Sequence, residues 1–175
     1  MLLDNYLKRY HFKEYHEIVI DGACADVYPV LKEIDFTDSR IIYLLFWLRG
    51  FRVRSGTLRD FIKMGFILLE EKEEEEIVLG FLGGAGGFLK VSTPEFERAG
   101  EGDRKKGIVK GAWNFSTTQM PGNRTRLSTE TRVLCTGRRA KVIFSIYWFF
   151  ISPFSRWIRR IILRMIKRKM DQQGV

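Results

Sequence analysis

KGAWNFSTTQMPGNRTRLSTETRVLC, Lys110 to Cys135, reads as two long strands around a turn. Pro121, Gly122 and Asn123 carry the turn, because proline presets one backbone angle while glycine and asparagine tolerate positive φ. In the first strand Val109, Trp113 and Phe115 alternate with Lys110, Asn114 and Ser116. In the second, Leu127, Thr129, Thr131 and Val133 alternate with Arg126, Ser128, Glu130 and Arg132. A three-residue loop places both apolar sets on one face of the hairpin. A two-residue loop would instead put Glu130 beside Trp113, where an apolar interior would raise its pKa and make it a candidate acid or base.

Downstream, Thr136 is an N-cap and no strong breaker except Pro153 follows before Gly174, so residues 137–172 read as one long helix kinked at the proline. Between Val142 and Ile151 nearly every position is apolar, which predicts cover on more than one side. Beyond Pro153, Phe154, Trp157, Ile158, Ile161, Ile162, Met165 and Ile166 keep the spacing of a single helical stripe. Upstream, residues 66–72, 76–82, 88–92 and 106–120 read as strands, the first two separated by Glu73-Glu74-Glu75. Helices are predicted over 25–34, 38–49 and 57–63, after a first strand at 16–20. Residues 1–15 read as an N-terminal arm and 16–175 as a single domain. The class is α+β: an antiparallel sheet, two or three short helices after the first strand, and one long C-terminal helix.

This order, together with GAWNF (Gly111–Phe115), TRLSTETRV (Thr125–Val133) and SPFSRWIRR (Ser152–Arg160), resembles a branch of the START-like or birch-pollen-allergen-like helix-grip superfamily, also called SRPBCC, from about residue 16 to the C-terminus. The resemblance implies a curved antiparallel sheet gripping the C-terminal helix, with a hydrophobic cavity between them for lipids, sterols, polyketides or similar molecules. Members include carriers, ligand sensors and cyclases or aromatases, so the fold leaves the activity open. No catalytic motif matches residue by residue, and only the location of the cavity carries over. By alternation its walls would include Leu79, Phe81, Trp113, Phe115, Leu127, Thr129 and Thr131 from strands, and Ile143, Tyr147 and Phe150 from the helix.

The 175 residues suit one domain, and 45% hydrophobic content with 24 aromatic residues excludes a disordered chain. Two cysteines, Cys24 and Cys135, and two histidines, His11 and His16, exclude a four-ligand Cys/His zinc site; no metal or cofactor is expected. The acidic run Glu70 to Glu76 lacks the spacing of a calcium loop, and the Gly80–Gly87 stretch lacks the Lys-Ser/Thr of a phosphate loop. That stretch reads as a flexible connection at the cavity mouth. There is no Ser, His and Asp constellation for hydrolysis.

The net charge of +9 lies wholly beyond Cys135, where ten basic residues face Asp171 alone. Arg156, Arg159, Arg160, Arg164, Lys167 and Arg168 take the non-apolar faces of the helix end and are candidate contacts to an anionic surface. Val142 to Ser155 is uncharged but spans 14 residues, short of the ~20 a bilayer core needs. With no signal-peptide pattern, the expected place is the cytoplasm or the periphery of a membrane. Nucleic acid fits least, because Phe154 and Trp157 fall on the apolar stripe and not among the arginines. The expected function is binding of a small hydrophobic molecule without chemistry. The alternatives are a cyclase or dehydratase using Glu130, Asn114 or Tyr147 for proton transfer, and a membrane-docking module using the C-terminal helix.

Overall fold

In the computed structural model, which describes residues 1–41, 43, 56–63, 65–84, 87–99 and 107–174, the hairpin closes on the three-residue loop. Strands β5 (Val109–Met120) and β6 (Arg124–Cys135) pair antiparallel, with Met120 opposite Arg124, Trp113 opposite Thr131 and Phe115 opposite Thr129. Gly122 and Asn123 both take positive φ, 76° and 51°, which lets the chain reverse without splaying the strands. Around this pair the sheet grows outward. Strand β1 (Phe12–Asp21) pairs with β6 along its whole length, β3 (Glu76–Gly84) pairs with β5, and β2 (Ile67–Lys72) and the short β4 (Gly87–Leu89) both pair with β3. All pairings are antiparallel and the order is β1-β6-β5-β3-β2.

Helices cover the sheet on both faces. On one side lie α2 (Cys24–Glu33), α3 (Leu58–Lys63) and the C-terminal half of α5 (Arg138–Gln173). Ile20, Ile77, Leu79, Phe115 and Leu127 of the strands bury there against Val27 and Leu31 of α2 and Ile158, Ile162 and Ile166 of α5. Each such side chain, fully buried, contributes about 1.5–3 kcal/mol. On the far side α1 (Leu3–Tyr6) and α4 (Thr93–Arg98) close over Leu69, Val78, Leu82 and Ala112, with Leu3 and Phe96 fully buried. This is an α+β fold in which an antiparallel sheet holds a long C-terminal helix, the helix-grip arrangement.

Several expectations are corrected. The first strand begins at Phe12, not His16, and α1 inserts Leu3 and Leu7 into the core, so the arm is part of the domain's packing. Strand 88–92 is shorter, and Ser92-Thr93-Pro94-Glu95 opens α4, where the Glu95 carboxylate accepts from the backbone N–H and hydroxyl of Ser92. Gly80, Gly83 and Gly84 lie inside β3 and Gly87 starts β4, so these glycines belong to strands and not to a flexible connection; 85 and 86 lie outside the described residues. The helix expected at 38–49 opens as a 3-10 turn, Phe36–Asp38, with 40, 41 and 43 helical; the remainder lies outside the described residues. The long helix forms as expected, over Arg138–Gln173 with Pro153 inside it, but its buried residues are Ala140, Ile158, Ile162, Leu163, Ile166 and Met170, and Phe154 and Trp157 of the expected stripe are exposed.

Candidate functional site

Leu79, Trp113, Phe115, Leu127, Thr129 and Thr131 come together on the helix-side face of the sheet, all buried, as the alternation requires. Trp113 Nε1 donates to Thr129 Oγ1 at 2.7 Å, and that hydroxyl donates to the Asn114 carbonyl at 2.8 Å, so both polar groups are satisfied inside an apolar layer. Trp113 packs on Phe115 with centroids 4.9 Å apart and on Phe61 of α3 at 5.5 Å; Phe61 in turn packs on Phe36 at 5.7 Å. At this end of the wall the sheet is met by aromatic rings of α3 and the 3-10 turn.

The other end is more open. Phe81 lies across Gly111, where any Cβ would overlap its ring. Phe81 is half-buried, as are Phe12 of β1 and Phe144 and Trp148 of α5, and all four pack on the small buried surface of Val133, Cys135 and Ala140. Phe12 stands 5.2 Å from Phe144 and 5.4 Å from Trp148, and Phe81 stands 5.3 Å from the half-buried Phe66. These rings are therefore only partly covered where the sheet meets the first half of α5.

Beside these rings, on the same face of β1, stand Glu14 and His16. Arg159 of α5 reaches across: Nη1 donates to Glu14 Oε2 at 2.7 Å and to the Ser155 hydroxyl, and Nη2 donates to Thr131 Oγ1 at 2.6 Å. Glu14 and Thr131 are both buried. Charge-assisted bonds of this kind offset desolvation only while both partners stay in place. Arg156 Nε lies 3.8 Å from Glu14 Oε1. Lys13, Glu14, Tyr15 and His16 of the sheet edge, with Trp148, Ser152 and Arg156 of α5, line an open cleft of about 290 Å³. His16 Nε2 is buried with no hydrogen-bond partner among the described residues. Burial, and then the charges of Arg159, Arg160 and Arg156, hold its pKa below the usual histidine range, so the ring is neutral at neutral pH.

The helical half of the expected cavity wall is corrected. Ile143, Tyr147 and Phe150 are 59%, 48% and 64% exposed, on the outward side of α5, and Phe144 and Trp148 take the inward places. The three weak proton-transfer candidates do not converge. Glu130 and Asn114 face the far side of the sheet, where the Glu130 carboxylate accepts from Arg132 Nε at 2.6 Å and pairs with Lys13 Nζ at 3.1 Å. Asn114 Nδ2 donates to Glu76 Oε1 at 2.6 Å, and its Oδ1 accepts from the Glu130 N–H. Of the basic set, Arg156, Arg160, Arg164 and Arg168 are exposed, whereas Arg159 is held by Glu14 and half-buried Lys167 donates to the Val19 carbonyl at 3.0 Å. Cys135 is buried and its thiol is pushed up to about 11 by that burial, so it is not a thiolate nucleophile.

The sequence alone does not mark Glu14, His16, Trp148 and Arg159 as parts of one pocket. Two signals point to them: Phe12, Glu14, His16, Ile18 and Ile20 keep a period of two, and Phe144, Trp148, Ser152, Ser155 and Arg159 follow one another at helical spacings of four and three.

Among the described residues no cluster of three His, Cys, Asp or Glu side chains is placed to hold a metal ion, and no described helix is long and apolar enough to cross a membrane. No protein-family model and no curated protein matches the sequence. Solved structures of similar shape include a conserved protein from Geobacillus kaustophilus at 9% identity and a TM-score of 0.49, covering 92% of this chain and 96% of that one. An aromatase/cyclase from a Streptomyces strain aligns at 10% identity and a TM-score of 0.38, covering 94% and 96%. A hypothetical protein from Helicobacter pylori aligns at 12% identity and a TM-score of 0.42, covering 95% and 93%.

Proposed function

We propose that this chain is a helix-grip protein of the SRPBCC kind that binds a small, mainly hydrophobic molecule, as a carrier or sensor, between the sheet and the first half of α5. The apolar part of the guest, a lipid or polyketide-like skeleton, lies against Phe12, Phe81, Phe144 and Trp148. Its polar end reaches the cleft where Glu14, Arg159, His16 and Arg156 meet. The buried wall of Leu79, Trp113, Phe115, Leu127, Thr129 and Thr131 forms the floor behind it. One observation carries this reading: four half-buried aromatic side chains of the sheet and the helix pack on one small buried cluster, and one of them, Trp148, lines the cleft beside the Glu14–Arg159 ion pair. Apolar surface with a few convergent polar groups is the usual composition of a small-molecule site. Glu130 and Asn114 lie together on the far face of the sheet, while Tyr147 is exposed on α5, and this separation favours binding over a cyclase that would use all three.

Native mass spectrometry of the purified protein, followed by organic extraction, tests the reading directly: a lipophilic compound should travel with it. In solution the protein should bind an anilinonaphthalene sulfonate probe, and Trp148→Ala should weaken that binding about tenfold by removing a ring that faces the guest. No extracted compound and no probe binding, or a Trp148→Ala variant that binds like the parent, would overturn it.

A further inference from the structure

The outward side of α5 does not look like the surface of a helix that ends its work at the sheet. Ile143, Ile146, Phe150, Phe154 and Trp157 follow one another at spacings of three and four and are all exposed, with Phe149, 75% exposed, beside them. At 1.5 Å per residue this apolar stripe is about 21 Å long. Single exposed apolar residues need no explanation, but an unbroken row of large ones on one helix face marks a docking surface.

The charges at the ends of the row say what docks there. Stepping back four from Ile143 gives Arg139, and stepping on from Trp157 at the same spacings gives Arg160, Arg164 and Arg168; all four are exposed. No acidic residue occurs between Glu130 and Asp171. The face is thus an apolar middle with cationic ends, and no described helix can cross a bilayer. A second copy of the chain seated on this row antiparallel would bring the arginines of one end against those of the other with no carboxylate on the face to relieve them. A phosphate backbone would have to lie along an uncharged middle.

We propose that this face of α5 lies in the plane of an anionic lipid surface, with Ile143, Ile146, Phe149, Phe150 and Trp157 at the headgroup–acyl boundary and Arg139, Arg160, Arg164 and Arg168 on lipid phosphates. An in-plane amphipathic helix gains from apolar burial and from the negative surface potential together, and arginine stems can lie along the apolar layer while their heads reach phosphate. The site is separate from the guest-binding region, whose rings are on the inward side of the same helix.

The test is flotation of the whole protein with phosphatidylcholine vesicles, with and without phosphatidylserine, at low and high salt. Binding is expected only with phosphatidylserine and should fall at high salt. Ile146→Ser with Phe149→Ser should reduce partitioning at least about tenfold, and Arg160→Gln or Arg164→Gln about fivefold each, the equivalent of roughly 1 kcal/mol per basic residue. These positions are exposed, so melting temperatures of the variants should match the parent and serve as the folding control. Absence of binding, equal binding to both vesicle types, or variants that partition like the parent would each overturn the proposal. So would a sedimentation experiment in which the protein is a dimer that the Ile146→Ser, Phe149→Ser pair converts to a monomer, since the row would then belong to a second copy.

Discussion

Gly111 shows how one missing side chain shapes the candidate site. It sits on β5 in extended pairing with Phe81 and Val133, and the ring of Phe81 occupies the space where a side chain would begin. Phe81 can therefore lie down on the sheet and present its outer face to the region beneath α5. Gly111→Ala should displace the ring and cost about 1–3 kcal/mol, the usual penalty for overfilling a packed site. Denaturant unfolding measures the cost, and a parallel loss of probe binding would link Phe81 to the guest. An alanine variant as stable as the parent would mean that the ring moves aside freely. Arg159 makes a second point at this scale. Its residue type and its neighbours suggest a solvated helix face, but its guanidinium is tied to a carboxylate 145 positions away. Nothing local in the sequence announces such a partner.

At the scale of elements, α5 is one continuous helix with two different lives. Its second half places Ile158, Ile162, Leu163 and Ile166 in the main core, while its first half makes its apolar packing in a smaller cluster through Ala140, Phe144 and Trp148. The short α1 does more than its four residues suggest. The Glu76 carboxylate accepts from the backbone N–H of Leu2 at 2.6 Å and of Leu3 at 3.2 Å, and Arg132 donates to Asp4 at 2.7 Å and to the Leu7 carbonyl at 3.0 Å. Arg132 beside Asp4 holds that carboxyl below the usual aspartate range. These bonds seal Glu76, Asn114, Glu130 and Arg132 under a lid whose apolar contacts are Leu3 and Leu7. Leu3→Ala should accordingly destabilise the fold by about 2–5 kcal/mol, as for a fully buried leucine. A loss below 1 kcal/mol in equilibrium unfolding, a value at odds with ~2–5, would mean that α1 is an appendage and that the far-side polar network stands without it.

For the whole molecule, the two histidines of the first strand region predict acid sensitivity. Burial, and then Lys141, depress the pKa of His11; burial, and then three arginines, depress that of His16. His11 Nδ1 also accepts from the Cys135 N–H at 3.1 Å, a bond that protonation of that nitrogen removes. The folded state then binds fewer protons than the unfolded chain, whose histidines titrate near 6.5. Their contribution is fully present above that value and is lost as the pH falls through it toward the folded pKa values. Unfolding free energies at about pH 7.5 and 5.5 should differ, and His11→Asn or His16→Gln should narrow the difference; an unchanged difference in both variants would place the sensitivity elsewhere. How far the sequence reaches is clear at this scale. By itself it determined the hairpin and, through an alternation of period two, which residues share a face; that leaves more than one loop length open, and the structure selects the three-residue loop with Met120 opposite Arg124. It also determined the long terminal helix and the one-sided charge. It could not choose which side of α5 turns inward between Val142 and Ile151, because apolar residues lie all round and a uniform face has no preferred direction. The structure chose: small Ala140 packs on Val133 and Cys135 of β6, Phe144 and Trp148 pack against Phe12, and Arg159 locks to Glu14, which turns Ile143, Tyr147 and Phe150 outward. The ring contacts of Phe12 and the Glu14–Arg159 pair join residues more than a hundred positions apart, so only the folded chain brings together the groups that decide them.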